Sequence, residues 1–98
     1  MTFDEFKDII QEKFPEATAL QMDRFKKMDA LYRDWNAKIN VVSRKDIDEL
    51  YRHHVLHSLG IAAYLKTNMP DVYDRLRGEG PYSVAAPMKI LDLGTGGG

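Results

Sequence analysis

The sequence predicts a mainly α chain: an N-terminal helical bundle, followed at its far end by the first strand of an α/β domain. Three observations carry that prediction. Capping signatures open three stretches whose apolar residues recur at the helical period. Between Lys66 and Pro87 the periodicity lapses into proline- and glycine-marked turns. Beyond that break, an apolar run of strand length, Ile90 to Leu93, enters the glycine-rich stretch Gly94-Thr95-Gly96-Gly97-Gly98.

The first helix opens at Thr2-x-x-Glu5, where the two side chains can satisfy backbone N–H groups at the helix start. Phe3, Phe6, Ile9 and Ile10 share one face, and Pro15 ends the helix near Phe14. Thr18-x-x-Gln21 opens a longer helix with the stripe Met22, Phe25, Met28, Leu31 or Tyr32, Trp35 and Ile39. Aromatic residues at that spacing read as core, Trp35 excepted. Asn40-Val41-Val42-Ser43 breaks the period and reads as a short extended link. Asp46-x-x-Glu49 is the third capping signal, so a helix is expected from Asp46 through Leu50, Tyr51, His54, Val55, Leu59 and Ile61 towards Leu65. Three faces, Phe6/Ile10, Phe25/Leu31 and Leu50/Leu59, should meet in one core. Pro70 suits the first turn of a short helix that Gly78 would terminate, and Gly78-Glu79-Gly80-Pro81 is a turn. The organisation that follows is a helical region over 1–66, a short helix and linker over 67–87, and the strand with its glycine loop over 88–98.

Composition narrows the function classes. With 14 basic and 15 acidic residues the net charge is −1, so no overall field announces nucleic acid. Cysteine is absent, which excludes disulfides and cysteine–zinc sites and agrees with a reducing, cytoplasmic setting. No long apolar run suggests a leader or a membrane span, and no membrane partner is expected.

The end of the chain is more specific. In Asp92-x-Gly94-x-Gly96-x-Gly98 an acid stands two residues before the first glycine. Dinucleotide-binding loops follow Gly-x-Gly-x-x-Gly and seldom carry that acid, which disfavours an oxidoreductase. The spacing resembles the first motif of S-adenosylmethionine-dependent methyltransferases of Rossmann-like fold. Two further stretches sharpen the likeness: Trp35-Asn36-Ala37-Lys38-Ile39-Asn40-Val41-Val42-Ser43, and Arg52-His53-His54-Val55-Leu56-His57-Ser58-Leu59. In this order and separation they resemble the glucose-inhibited division protein B family, bacterial enzymes that methylate guanine N7 in 16S ribosomal RNA. The sequence departs from the family pattern at His57, where many members carry an acid, and at His53, often an arginine.

That resemblance implies an N-terminal portion of a truncated Rossmann-like methyltransferase, ending in the first cofactor motif and inactive alone. Gly94 and Gly96 would line the methionine and ribose of S-adenosylmethionine, with Asp92, Thr95 and Gly98 completing the cofactor-binding set. The partner implied is 16S ribosomal RNA or the small ribosomal subunit, bound by a protein that is a monomer when complete. Guanine N7 has a free lone pair and loses no proton on methylation, so the implied chemistry needs no catalytic base and none is assigned. The alternative is a free-standing helical module that binds RNA or a protein without enzymatic activity.

Three groups of side chains remain to be weighed. Lys26, Lys27, Arg44, Lys45, Arg52 and His54 are candidates for RNA contact in a locally basic middle of the chain. Against them stands a solvated helix surface diluted by Asp29, Asp34, Asp46 and Asp48. Asn36 and Asn40 could cap the second helix and tie down the link after it, or bond to RNA or a cofactor domain. His53 and His57 have a spacing that can share a metal, but no general-base glutamate or third ligand accompanies them, so no metal is expected.

Overall fold

The computed structural model describes residues 1–78 and 88–94. Its elements are α1 (Phe3–Lys13), α2 (Ala19–Lys38), a 3-10 turn (Ile47–Glu49), a π-helix (Leu50–Leu56), α3 (His57–Asn68) and α4 (Pro70–Arg77). Contacts divide the chain into two units, the first Met1–His57 and the second starting at Ser58. Among the described residues no helix is long and apolar enough to cross a membrane.

In the first unit both predicted helix starts form. Thr2 Oγ1 accepts from the Glu5 N–H at 3.2 Å. At α2 the capping box is reciprocal: Thr18 Oγ1 accepts from the Gln21 N–H at 3.1 Å, and the Thr18 N–H donates to Gln21 Oε1 at 2.9 Å. α1 stops at Phe14, whose N–H bonds back to the Ile10 carbonyl, and a turn closed by the Ala17 N–H on the Phe14 carbonyl leads to α2. Pro15 at this point could not continue the helix.

The core consists of Phe6, Ile10, Leu50, Tyr51 and Val55, contributed by α1 and the π-helix. Around it the rings interlock. Phe6 stacks on Tyr51 at 4.8 Å between centroids and meets the edge of Phe25 at 5.3 Å; Phe3 lies 5.8 Å from Tyr51. Each such pair contributes about 0.5–1.5 kcal/mol beyond its area burial. α2 covers this core with half-buried Met22, Phe25, Met28 and Tyr32. The expectation that the whole stripe of α2 is core is corrected at Leu31 and Ile39, which are 54% and 58% exposed. A small first unit fills its interior with two segments and leaves the end of α2 outside it.

A second correction concerns the helix expected from Asp46. Asp46 caps nothing with its side chain; it ends a turn in which its own N–H donates to the Ser43 carbonyl at 3.0 Å and to Ser43 Oγ at 3.2 Å. The 3-10 turn follows, then seven residues of π-helix before α winding begins at His57. The burial pattern explains the wider winding. Leu50 and Val55 are both buried, and five residues apart on an α-helix they would diverge by about 140°. In an i→i+5 ladder they fall nearly in line, with Tyr51 beside them.

In the second unit α3 ends with the Asn68 side chain donating to the Tyr64 carbonyl. α4 starts at Pro70 and stops at Gly78, whose φ of +69° is the left-handed cap expected there. Ile61, which continues the helix expected from Asp46, is 70% exposed. The strand expected from Ile90 to Leu93 does not form: residues 88–94 carry no regular structure, and Ile90, Leu91 and Leu93 are more than two-thirds exposed. A parallel strand exists by pairing with its neighbours, and the described residues contain no other strand.

Candidate nucleic-acid interface and cofactor loop

Of the cofactor-loop residues, Asp92 and Gly94 are described; Thr95, Gly96 and Gly98 lie outside the described residues. Asp92 is exposed. Gly94 has φ +66° with nothing within 4 Å of where a Cβ would stand. Its glycine is therefore required by the backbone conformation and not by space. An open, left-handed glycine two residues after an acid leaves the backbone accessible to close approach by a ligand.

The basic candidates sit on three elements. Lys26 and Lys27 are exposed on α2, Arg44 and Lys45 form the exposed tip of the Ser43–Asp46 turn, and Arg52 and His54 belong to the π-helix. Two contacts bring the π-helix and the 3-10 turn against α2. The Tyr51 hydroxyl donates to the carbonyls of Phe25 and Lys26 at 2.9 and 3.2 Å. Eight residues further along α2, Arg33 holds Asp29 through Nε and reaches Asp48 Oδ1 at 2.9 Å. Both acids hold the Arg33 guanidinium above its ordinary range, the hydrogen bond to Asp29 most strongly. Burial pushes the Tyr51 phenol up, helped by the charge of Asp29.

The acids that dilute the basic stretch in sequence are each committed in the structure. Asp29 and Asp48 hold Arg33, and Asp34 holds Lys38 at 3.1 Å. Asp23 takes Lys27 at 2.8 Å, and Glu49 lies 3.7 Å from Arg52 and 3.5 Å from the Met1 ammonium. Asp46 Oδ1 is 3.3 Å from His53 Nδ1, and its Oδ2 is 3.9 Å from His54 Nε2. The hydrogen bond to His53 holds the Asp46 carboxyl below its usual range, with Ser43 and the charge of both histidines adding to it. Among the described residues no carboxylate pairs with Arg24, Lys26, Arg44 or Lys45. The structure thus separates the candidates: Lys26, Arg44 and Lys45 carry charge with no partner, whereas Lys27 and Arg52 have acids beside them.

Asn36 has the structural role among those weighed for it: its Oδ1 accepts from the Val42 N–H at 3.0 Å and so fixes the link after α2. Asn40 is exposed. Beside that link, Leu31, Tyr32, Trp35, Ile39 and Val41 line an apolar cavity of about 290 Å³. A larger one of about 530 Å³ opens between α1 and α2, where Lys7 and Lys26 face Phe3, Phe14 and Met22. Among the described residues no group of three or more His, Asp or Glu could hold a metal ion.

Sequence reading missed the Asp46–His53 pair, the Arg33–Asp48 bridge and the Tyr51 hydroxyl contact. The first spans seven residues across two changes of winding, so no i,i+3 or i,i+4 rule reveals it. The other two are tertiary and leave no local signal.

No family model and no solved structure matches the chain. Curated proteins do. The ribosomal RNA small subunit methyltransferase G of Flavobacterium psychrophilum is 52% identical over 89 residues, covering 91% of this chain and 34% of that protein. Its namesake from Christiangramia forsetii is 48% identical over 91 residues, covering 93% and 35%. The Porphyromonas gingivalis protein of the same name is 46% identical, also over 91 residues, covering 93% and 34%. The chain spans about a third of the length of these relatives. Identity at this level over nine-tenths of the residues agrees with the likeness in the tryptophan–asparagine, histidine and glycine motifs: the chain is similar to about a third of the length of the ribosomal RNA small subunit methyltransferase G proteins.

Proposed function

We propose that the complete protein is a cytoplasmic, monomeric methyltransferase that transfers the methyl group of S-adenosylmethionine to N7 of a guanine in 16S ribosomal RNA. The single observation that carries this reading is the 46–52% identity to relatives named small subunit ribosomal RNA methyltransferases. S-adenosylmethionine supplies an activated methyl on a positive sulfur, and guanine N7 supplies a lone pair without needing to lose a proton. What the protein must add is alignment and exclusion of water.

Within that reading Asp92 and Gly94, with Thr95, Gly96 and Gly98 after them, are the cofactor side of the site. The first unit is the RNA side. Its uncompensated cations Lys26, Arg44 and Lys45, together with Lys27, Arg52 and His54, contact phosphates, which position RNA without reading its sequence. These 98 residues alone do not methylate RNA, because most of the length present in the relatives lies outside them.

The test is mass mapping of 16S ribosomal RNA from cells with and without the complete gene. Loss of one N7-methylguanine on deletion supports the function. Retention of every N7-methylguanine removes it.

A further inference from the structure

Asp46 does more in this structure than balance a histidine. Its backbone N–H closes the turn onto Ser43, and its carboxylate grips His53 Nδ1 at 3.3 Å. The same residue therefore fixes the tip that carries Arg44 and Lys45 and orients a ring on the π-helix. With Nδ1 turned to Asp46, the other ring nitrogen of His53 points away from that carboxylate, and the side chain is half exposed. Arg44 and Lys45 have no acid beside them among the described residues, because Asp46, Asp48 and Glu49 are occupied by His53, Arg33 and Arg52.

We propose that the Ser43–Asp46 turn and His53 form a phosphate-binding corner for ribosomal RNA, with Asp46 as its positioning residue. The proposal rests on the reading that ribosomal RNA is the substrate. Arg44 and Lys45 supply fixed positive charge. His53 supplies a directed N–H from Nε2 when its ring carries both protons, Nδ1 being held by the Asp46 carboxylate. Asp46 meets the ring at Nδ1 and has His54 at its other oxygen; Arg52, beside Glu49, precedes His53 on the π-helix, and the two cations of the turn precede Asp46 in the chain. His53 is thereby added to the RNA-contacting set, and Asp46, which sequence alone counts against that set, becomes part of it. An ordinary solvated turn would need neither the ring nor its orientation.

The experiment measures binding of the 98-residue chain to deproteinised 16S ribosomal RNA as a function of salt. Each phosphate contact adds about 0.7–0.9 to the slope of log K against log salt. Replacing Arg44 and Lys45 together by Gln should lower that slope by about 1.4–1.8. His53→Gln should weaken binding, and His53→Lys should restore it. Asp46→Asn should also weaken binding, since it removes the carboxylate that holds the ring. Titration with inorganic phosphate, followed by the ring proton resonances of His53, reads the same contact without RNA.

An unchanged salt slope in the double variant, undiminished binding by His53→Gln, no RNA binding, or an unmoved His53 resonance each overturns the corner. The function itself is tested separately. If deletion of the gene removes an N7-methylguanine while the corner variants bind as before, the corner fails and the methyltransferase reading stands. If every N7-methylguanine persists while the salt and binding effects appear, the reading fails and the corner remains as an RNA contact.

Discussion

Phe25 and Tyr51 meet where α2 crosses the π-helix, and each lends itself to a single substitution. Phe25 is half-buried with its ring edge on Phe6. A buried large apolar side chain contributes about 1.5–3 kcal/mol, so Phe25→Asp should cost at least that much and lower the melting midpoint seen by circular dichroism. An unchanged midpoint would mean that the ring takes no part in the core. Tyr51 buries its hydroxyl against two carbonyls of α2, and Tyr51→Phe should cost about 1 kcal/mol in urea denaturation. The same phenol gives an alkaline signature. Its pKa is raised in the folded chain, so its share of stability is fully present below the unfolded value of about 10 and is lost as pH rises through the folded one. A spectrophotometric titration should show one of the five tyrosines ionising last, and Tyr51→Phe should delete that phase.

The elements differ in how openly the sequence announces them. α1, α2 and α4 were legible because their ends are set by local chemistry: Thr2, Thr18, Pro15, Pro70 and Gly78 each act within a few residues of themselves. Thr18→Ala should accordingly cost about 1 kcal/mol and fray the start of α2, visible as faster amide exchange at Gln21. The stretch from Asp46 to Leu56 was misread for the opposite reason. Asp46-x-x-Glu49 has the letters of a capping box, but Asp46 is drawn to His53 and Glu49 to Arg52 and the Met1 ammonium, so other partners took the side chains that the capping rule assigns to the backbone. Leu31 and Ile39 were misread because periodicity gives a helix face and not the area that covers it. The expected strand over 90–93 depends on neighbours that no local pattern can supply. Of the candidate site, residue types were legible, but which cations remain uncompensated was not, since that depends on where every acid goes.

At the scale of the whole molecule, the first unit closes a core of its own from α1 and the π-helix with α2 laid over it. The glycine-rich loop proposed to hold the cofactor belongs to the chain beyond that unit, and its described residues are exposed. The 98-residue chain should therefore fold its helices yet bind S-adenosylmethionine too weakly for calorimetry, because loop amides contact a fraction of the cofactor and the ordering of a glycine-rich loop goes uncompensated. Micromolar binding would show that these residues hold most of the pocket. The π-helix sets a limit of a different kind, on which lengths of chain the unit tolerates. Wider winding accommodates one residue more than an α-helix would need over the same span, so the segment behaves as an insertion kept inside the helix instead of looped out. Deleting Arg52 should let it rewind as α and retain the helical circular dichroism. It would also leave Leu50 and Val55 four residues apart, about 40° from each other on an α-helix, so the melting temperature should hold; a lower one would show that the core depends on the spare residue.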